Sequence, residues 1–425
     1  MGNTCMKTGE AVDHHNGAVY NEYVSGGKKT KQHAMPGKAV GTPEKKKEVF
    51  AGETTAVVNK IEALQHTLKP IVSVVNPALR HQEFRQFTSV FAPGRAVLAL
   101  ASCARFQGPQ HILAAGEDRC VALLNYETGH VMRRWVHAHE NDINCITTPS
   151  SSGRFATASR DKTVKVWDFN SDGPLACLRG HTLNVTCVDT TADYNLLVSG
   201  SKDNTVRLWN VERAEEIFCG DIKLNIVRFV RFMPLMNCVA QGSEDLAVRL
   251  WDVRTKGSHS DLHLSKTIEG MGYYPVCCET VPDDPHMLLT GHCGVNGCGS
   301  YVTQWDVRTG KCMALYRGHS FTVSSVRMVA ASVYGKGSFF TSSYDGTFGI
   351  WNLEDGEANR EVDLSAEHQF HLPEGRVTTF EAEDNGDTVI ALDSGCLVVL
   401  RPAIRDDSVI PSLRLRYVGV LKVPT

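Results

Sequence analysis

Short runs of β-branched and apolar residues, separated by polar turns, recur along most of the chain. In the stretch GHTLNVTCVDTTADYNLLVSGSKDNTVRLWN (residues 180–210), three such runs cover residues 184–188, 196–201 and 205–209. Their shortness and β-branched content predict strands rather than helices. The basic unit of this chain is therefore strand, turn, strand.

The same unit recurs before and after this stretch. It reads ATASRDKTVKVWD up to Trp167, GSEDLAVRLWD up to Trp251 and TSSYDGTFGIWN up to Trp351, and Trp167, Trp209 and Trp251 follow one another at intervals of 42 residues. An aspartate precedes each tryptophan by six residues, as Asp118 precedes Leu124 in a degenerate first copy. A repeat of about 40 to 45 residues with a Gly-His opening and a Trp-Asp close is typical of one propeller blade.

These repeats resemble those of the WD40 family, and the resemblance implies a β-propeller. A fifth copy at about residues 267–316 contains Thr290 and Trp305 with an enlarged turn, and a last copy from residue 376 onward has no tryptophan. We therefore predict an all-β fold with a single seven-bladed WD40 β-propeller over residues 95–425. The preferred closing strand covers residues 413–423, and a strand from residues 48–60 is the alternative.

Two segments precede the repeats. Residues 1–48 are rich in Gly, Lys, His and Asn, which predicts a flexible basic tail because few apolar groups are available to stabilise a fold. In residues 49–94, Val57, Ile61, Leu64 and Leu68 are spaced as on one face of a helix that Pro70 ends. This second segment is predicted to lead into the propeller with a short helix.

His181, Ser199 and Asp203 have the composition of a hydrolase triad. The set recurs as His139, Thr157 and Asp161 and as His319, Thr341 and Asp345, each followed by a tryptophan. An enzyme has one nucleophile in one pocket, so this repetition favours an architectural role and no catalytic residue is assigned. The family resemblance implies structural tetrads, which are buried hydrogen-bond relays, and the three tetrads consist of His139, Thr157, Asp161, Trp167, His181, Ser199, Asp203, Trp209, His319, Thr341, Asp345 and Trp351.

The enlarged turn of the fifth copy contains His292, Cys293 and Cys298, with Cys277 and Cys278 upstream. Their spacing is not a repeated C-x2-C, which argues against a zinc site. The neighbouring glycines do not form a phosphate-binding loop, since no G-x4-G-K-[ST] sequence occurs. We expect no metal, no cofactor and no small-molecule substrate, and we interpret the turn as a Gly-rich surface loop.

Charge is distributed unevenly along the chain. The first 48 residues have eight lysines against five acidic residues, so their net charge is positive by three. The net charge of the whole chain is −3, so the other residues together carry about −6. A mildly acidic propeller is a poor surface for nucleic acid.

The first residues have no apolar signal-peptide core, and no run of 18 apolar residues occurs. We expect a cytoplasmic protein.

The N-terminus has features of a lipid anchor. Met1-Gly2 resembles an N-myristoylation signal, although Met6 stands where Ser or Thr is usual. Stable attachment needs a second signal, which palmitoylation of Cys5 or a basic segment would supply. That segment contains Lys28, Lys29, Lys31, Lys38, Lys45, Lys46 and Lys47. We expect lipidation at Gly2 and Cys5 and contact with an anionic membrane; the alternative is an unmodified, solvated tail.

The loop with the tetrad histidine and the turn with the tetrad aspartate open on the same rim of a propeller. The side chains there carry charges of both signs together with tyrosines, which suits a protein partner. The predicted partner-binding rim contains Glu117, Asp142, Arg160, Asn184, Lys202, Asn225, Glu244, Tyr273, Tyr274, Thr322 and Tyr344.

These features together favour a non-catalytic interaction scaffold. The Met-Gly start, the basic tail, the seven blades and the NG-x-G turn resemble one cilium-linked animal member of the family. That resemblance implies an adaptor in membrane-associated GTPase regulation and ciliary trafficking, at a membrane or in a cilium. Two other classes stay open: a substrate receptor of a ubiquitin ligase, and an RNA-associated WD40 scaffold.

Overall fold

The computed structural model describes nine segments of the chain. They are residues 95–149, 153–191, 194–222, 225–253, 262–353, 360–363, 369–372, 375–404 and 413–421. The predicted basic tail, the lead-in helix, Gly2 and Cys5 lie outside the described residues. Within those residues, no helix is long and apolar enough to cross a membrane.

Seven sheets form the fold, and each sheet is one blade. Their strands pair antiparallel except for one added parallel strand in blade five. Blades one and two consist of β1 (Val97–Ser102), β2 (His111–Gly116), β3 (Val121–Asn125) and β4 (Val131–Trp135), then β5 (Ile143–Thr147), β6 (Arg154–Ser159), β7 (Thr163–Asp168) and β8 (Ala176–Arg179). Blades three and four consist of β9 (Val185–Thr190), β10 (Leu196–Ser201), β11 (Thr205–Asn210) and β12 (Glu215–Asp221), then β13 (Val227–Met233), β14 (Cys238–Ser243), β15 (Ala247–Asp252) and β16 (His263–Ile268).

The later blades are less regular in their outer strands. Blade five consists of β17 (Pro275–Val281), β18 (Asp284–His292), β19 (Tyr301–Asp306), β20 (Lys311–Arg317) and an added strand, β24 (Arg360–Asp363). Blade six consists of β21 (Val323–Met328), β22 (Ser338–Ser343), β23 (Thr347–Asn352) and β25 (Gln369–His371). Blade seven consists of β26 (Val377–Ala382), β27 (Thr388–Leu392), β28 (Leu397–Ile404) and β29 (Leu413–Leu421).

The first strands of successive blades contact one another in a closed ring. The order is β1, β5, β9, β13, β17, β21 and β26, and β26 returns to β1. The apolar core lies between neighbouring blades, as where Ala158 and Val166 of blade two pack with Val188 and Trp209 of blade three. The prediction of an all-β, seven-bladed propeller is confirmed.

Every innermost strand has an irregularity near its first residue, where one residue is left out of the pairing with the second strand. At three positions the side chain of that residue reaches the next blade. Asn144 Nδ2 donates to Val185 O at 2.7 Å, Thr186 Oγ1 donates to Val227 O at 2.6 Å, and Thr378 Oγ1 donates to Val97 O. The bond from Thr378 joins blade seven to blade one and so contributes to closing the ring.

The C-terminal strand β29 is the outermost strand of blade seven and pairs antiparallel with β28. This is the closing strand that the sequence analysis preferred, and the alternative strand from residues 48–60 lies outside the described residues.

The predicted start of the fifth copy differs from the start of blade five. Residue 267 does not begin blade five. It lies in β16, the outermost strand of blade four.

The sequence did not predict β24. This strand pairs in parallel with β20, from Ala314 opposite Arg360 to Arg317 opposite Asp363, although it follows β23 of blade six along the chain. It covers an outer edge that would otherwise offer unpaired backbone groups to another strand. Two single-turn helices, α1 (Ala104–Gln107) and α2 (Ala331–Tyr334), follow the innermost strands of blades one and six.

We predict that Thr378→Val lowers the free energy of unfolding by about 1 to 2 kcal/mol, because it leaves the Val97 carbonyl without its side-chain donor. Chemical denaturation would measure the change. Thr379→Val is the matched control, since no side-chain hydrogen bond of Thr379 occurs among the described contacts. Equal effects of the two substitutions would contradict a closing role for Thr378.

Candidate functional site

The relay of blade three joins four side chains from four elements. Trp209 Nε1, on β11, donates to Ser199 Oγ of β10 at 2.8 Å, and Ser199 Oγ lies 2.7 Å from His181 Nε2. His181 Nδ1 lies 3.0 Å from Asp203 Oδ2 in the β10–β11 turn. The geometry requires that Nδ1 carry the proton, so that each group donates to the next. The relay ties the loop before β9 to this turn.

Blade two repeats this geometry. The Trp167–Thr157, Thr157–His139 and His139–Asp161 distances are 2.9, 2.7 and 2.8 Å. Burial lowers the pKa of His139, although the bond to Asp161 opposes this shift. Burial alone would raise the pKa of Asp161, but hydrogen bonds from His139 and Thr163 hold it well below its usual range. The histidine is therefore neutral and the aspartate ionised at neutral pH.

Ser199 and Thr157 have no exposed surface, and each hydroxyl already accepts an indole N–H. A nucleophile must reach a substrate, whereas these oxygens are enclosed between strands and used within the relay. A buried, fully paired polar network is costly to break and makes the local backbone rigid. The arrangement fixes the loops of the rim.

Blade six differs from the expected tetrad. Trp351 Nε1 donates to Thr341 Oγ1 at 2.7 Å, and Thr341 lies 2.7 Å from His319 Nε2. His319 Nδ1, however, bonds to Thr347 Oγ1 at 2.6 Å instead of to the aspartate. Asp345 accepts from the N–H groups of Ser320 and Thr347, at 2.6 and 2.8 Å. The expected direct His319–Asp345 bond is therefore replaced by one through a threonine. Burial lowers the pKa of His319 to about 4.

Blade five has a relay that the sequence analysis missed. Trp305 Nε1 donates to Thr290 Oγ1 at 2.8 Å, and Thr290 and Thr303 each lie 3.0 Å from His292 Nε2. His292 Nδ1 bonds to the Tyr273 carbonyl at 2.8 Å. The histidine comes from the end of β18 rather than from the loop between blades. Burial lowers its pKa to about 4.

His292 is thus engaged through both ring nitrogens, which leaves it no free nitrogen for a metal. Among the described residues no group of three or more His, Cys, Asp or Glu side chains is arranged to hold a metal ion. In blade four, Trp251 Nε1 donates to Gln241 Oε1 at 3.2 Å, and Asp245 is bound by Arg249 rather than by a histidine.

Many of the polar residues predicted for the rim are engaged within the protein. Glu117 accepts the Ala96 N–H at 3.2 Å, Asp142 pairs with Arg160 at 3.3 Å, and Glu244 pairs with Arg228. Other predicted members with intramolecular contacts, or half-buried, are Asn184, Asn225, Tyr274 and Thr322. The exposed members are Arg160, Lys202, Tyr273 and Tyr344. Of the five charged members only Arg160 and Lys202 are exposed, so fewer charges are available to a partner than the sequence predicted.

Exposed apolar side chains were missed. Leu246, Val295 and Phe321 lie in rim loops beside Tyr273 and Tyr344, and each of the five is 39 to 43% exposed. We call these five residues the apolar sector; it extends over blades four, five and six. Large apolar groups that stay exposed together on a structured surface are typical of a binding site.

Contacts between the loops make the apolar sector continuous. Gly297 N donates to Ser320 O at 2.7 Å, which joins the loop of Val295 to that of Phe321. Tyr344 N donates to Thr322 O at 3.1 Å. On the other side, the Tyr273 ring packs on Gly299, where a Cβ would lie 2.5 Å from the ring. Arg228 links the turn before Leu246 to the Tyr274 ring, 5.4 Å away, through its pair with Glu244.

Leu246 has a left-handed backbone conformation, with φ of 63°. Asn204 and Gly346 occupy the same turn position in blades three and six, and these residue types adopt this conformation readily. Arg119 and Lys162, at this position in blades one and two, also have positive φ. A leucine there costs about 1 to 2 kcal/mol of backbone strain. Leu246 combines this strain with an exposed apolar side chain.

Comparison with known proteins agrees with this geometry. The model of the WD domain, G-beta repeat, matches residues 130–168, 172–210 and 310–352. The fold is similar to the crystal structure of the WD40 beta propeller domain of Doa1, with a TM-score of 0.58, 16% sequence identity, and coverage of 75% of this chain and 97% of that chain.

At this identity the structural likeness shows the fold alone. The three matched segments of this chain therefore have the sequence of WD40 repeats. Propellers of this family are generally non-enzymatic scaffolds that bind protein partners.

We predict that Ser199→Ala lowers the free energy of unfolding by about 1 to 3 kcal/mol, because it leaves the Trp209 N–H and His181 Nε2 buried and unpaired. The control is Ser300→Ala. The Ser300 hydroxyl is also buried, but it has no hydrogen-bond partner within the described residues. Urea titrations in which both variants lose the same stability would show that the relay is not a stabilising unit.

Proposed function

We propose that this protein is a non-catalytic scaffold that binds a protein partner through the apolar sector. The observation that supports this most is the group of five exposed apolar side chains on loops that interloop hydrogen bonds hold in place. Because those loops are already ordered, little conformational entropy is lost when a partner binds. The matched WD40 repeats support a protein as the partner.

The chemistry of the apolar sector suggests an apolar or aromatic contact at its centre with polar contacts around it. Phe321, Tyr273 and Tyr344 provide rigid rings of the kind that contribute most at protein interfaces. The Arg228–Glu244 pair lies beside the rings and is internally neutral, so it adds no strong preference for a charged partner. A partner segment with a few bulky apolar residues would match this surface.

We expect that Phe321→Ser combined with Val295→Ser removes partners of the intact chain, because it eliminates two of the five apolar contacts and keeps the loop backbone. Quantitative proximity labelling would compare the variant with wild type. The control is Leu235→Ser, in the β13–β14 connection at the opposite end of the blades and 65% exposed. A partner that depends on the apolar sector should lose about tenfold or more of its labelling in the double variant only. Unchanged labelling in both variants would contradict the proposal.

Leu246 provides a second test that separates binding from stability. Leu246→Asn should raise the free energy of unfolding by about 1 kcal/mol, since asparagine accepts the left-handed conformation. The same substitution should weaken partner labelling. Thermal melts and labelling of one preparation would measure both effects. A variant that is less stable, or that binds as wild type does, would contradict the role given to Leu246.

We also propose that the N-terminal segment attaches the propeller to an anionic membrane through acylation of Gly2 and Cys5. The sequence supports this through Met1-Gly2, Cys5 and the seven lysines between residues 28 and 47. Two lipid signals, or one lipid with basic residues, are sufficient for stable attachment. The cilium-linked relative that the sequence resembles suggests trafficking or GTPase regulation as the process served.

Membrane flotation tests this attachment. Gly2→Ala should release the protein, since myristoylation brings Cys5 to the membrane where it is palmitoylated. Neutralising the lysines should weaken attachment most at low salt, because high salt already screens the electrostatic attraction, whose range is about 8 Å at physiological ionic strength. Intact mass of the N-terminal peptide reports the lipids directly. An unacylated peptide, with wild type in the soluble fraction, would contradict the proposal and leave partner binding by the apolar sector untouched.

A further inference from the structure

The innermost strands place charged residues at one level of the central channel. The fifth residue of each strand lies at this level, and from blade three to blade seven the charges alternate in sign. We call these five residues the charged ring: Asp189, Arg231, Glu279, Arg327 and Glu381. Blades one and two contribute the uncharged Ala101 and Thr147 at the same level.

Each acidic residue of the charged ring is bound by a neighbour. Arg231 Nη2 donates to both carboxylate oxygens of Glu279, at 2.8 and 2.9 Å. Arg327 lies between Glu279 and Glu381, at 3.5 and 3.3 Å. Asp189 accepts from Thr147 Oγ1 at 3.1 Å and from the Phe232 N–H at 2.8 Å.

The alternation ends where blade seven meets blade one. There Glu383, two residues beyond Glu381, is only 5% exposed. Its Oε2 accepts from Ser102 Oγ of β1 at 2.8 Å. Its Oε1 is buried and has no hydrogen-bond partner among the described residues. Where the ring would place a cation in blade one, the chain has Ala101.

No cation near Glu383 is free to pair with it within the described residues. Arg327 binds Glu381 and Glu279, and Arg401 binds Asp387 and Glu127. The other facing groups are acidic or neutral: Glu381 on β26, Asp384 and Asp387 in the β26–β27 connection, and Cys103 and Tyr126 of blade one. An ionised Glu383 would therefore be a buried charge surrounded mainly by like charges.

We propose that Glu383 is a proton-dependent latch between blades one and seven. In its protonated form it packs against Ser102 as a neutral group and keeps the two blades together. In its ionised form it repels Glu381 and Asp387 and loosens the contact between the first and the last blade. Proton concentration would then control how firmly the ring is closed.

The titration of Glu383 falls in the physiological range. Burial, together with the negative charges of Glu381, Asp384 and Asp387, raises the pKa of Glu383 to about 7 against a lowering by the Ser102 hydrogen bond. In an unfolded chain a glutamate has a pKa of about 4.3. The folded state therefore binds the proton more tightly, so its stabilising contribution is present below about pH 4 and is lost as the pH rises to about 7.

Glu383→Gln tests the latch, because glutamine copies the neutral acid in size and cannot ionise. Relative to wild type, the variant should melt about 3 °C or more higher at pH 8 and within about 1 °C at pH 5. Hydrogen exchange adds a local readout. At pH 8, β1 and β26 should exchange more slowly in the variant than in wild type, while β9 and β13 should not change.

Glu279→Gln is the matched control on the charged ring. It removes ion pairs to Arg231 and Arg327, so it should lower the melting temperature at both pH 5 and pH 8. A Glu383→Gln difference that is the same at both pH values, or a destabilised Glu383→Gln at pH 8, would overturn the proposal. So would stabilisation of wild type, but not of Glu383→Gln, by low-millimolar methylguanidinium at pH 8, since that result would assign the position to a bound cation.

Discussion

No blade of this propeller can bury its faces alone, so each depends on both neighbours and all depend on closure of the ring. The contact between blade seven and blade one joins residues that lie up to 281 positions apart in the chain, as Thr378 and Val97 do. An apolar cluster containing Leu100, Leu124 and Val399 fills this contact. Glu383 joins the same two blades through its hydrogen bond from Ser102, so we expect a change of its charge to act on closure.

The buried relays also fix the backbone of the loops and turns that form the rim. Each ends on a loop or turn of the rim, so a network inside the blade fixes backbone that is open to solvent. The relays differ in composition: Thr347 replaces the direct aspartate contact in blade six, and His292 supplies the histidine from within a strand in blade five. What they share is a buried indole N–H bound to an oxygen acceptor. The rim can therefore vary while its backbone stays ordered.

This order explains how the protein can keep large apolar side chains exposed. The loops of Val295 and Phe321 are joined by backbone hydrogen bonds, and Tyr273 is packed on a glycine, so these side chains have little freedom to fold inward. Leu246 adds backbone strain to exposure. An apolar side chain stabilises the fold when it is buried, whereas it can bind a partner only when it is exposed. The side chains of the apolar sector are exposed, which favours binding over stability.

The sequence alone determined the repeat, the strands and the relays of blades two and three, because each of these is encoded within about one repeat, where spacing along the chain decides position. Tertiary structure decided the rest. Whether Phe321 is exposed, and whether His292 completes a relay, depends on side chains brought together from other strands. The parallel pairing of β24 and the setting of Glu383 join distant segments, and no local pattern records which distant groups surround a residue.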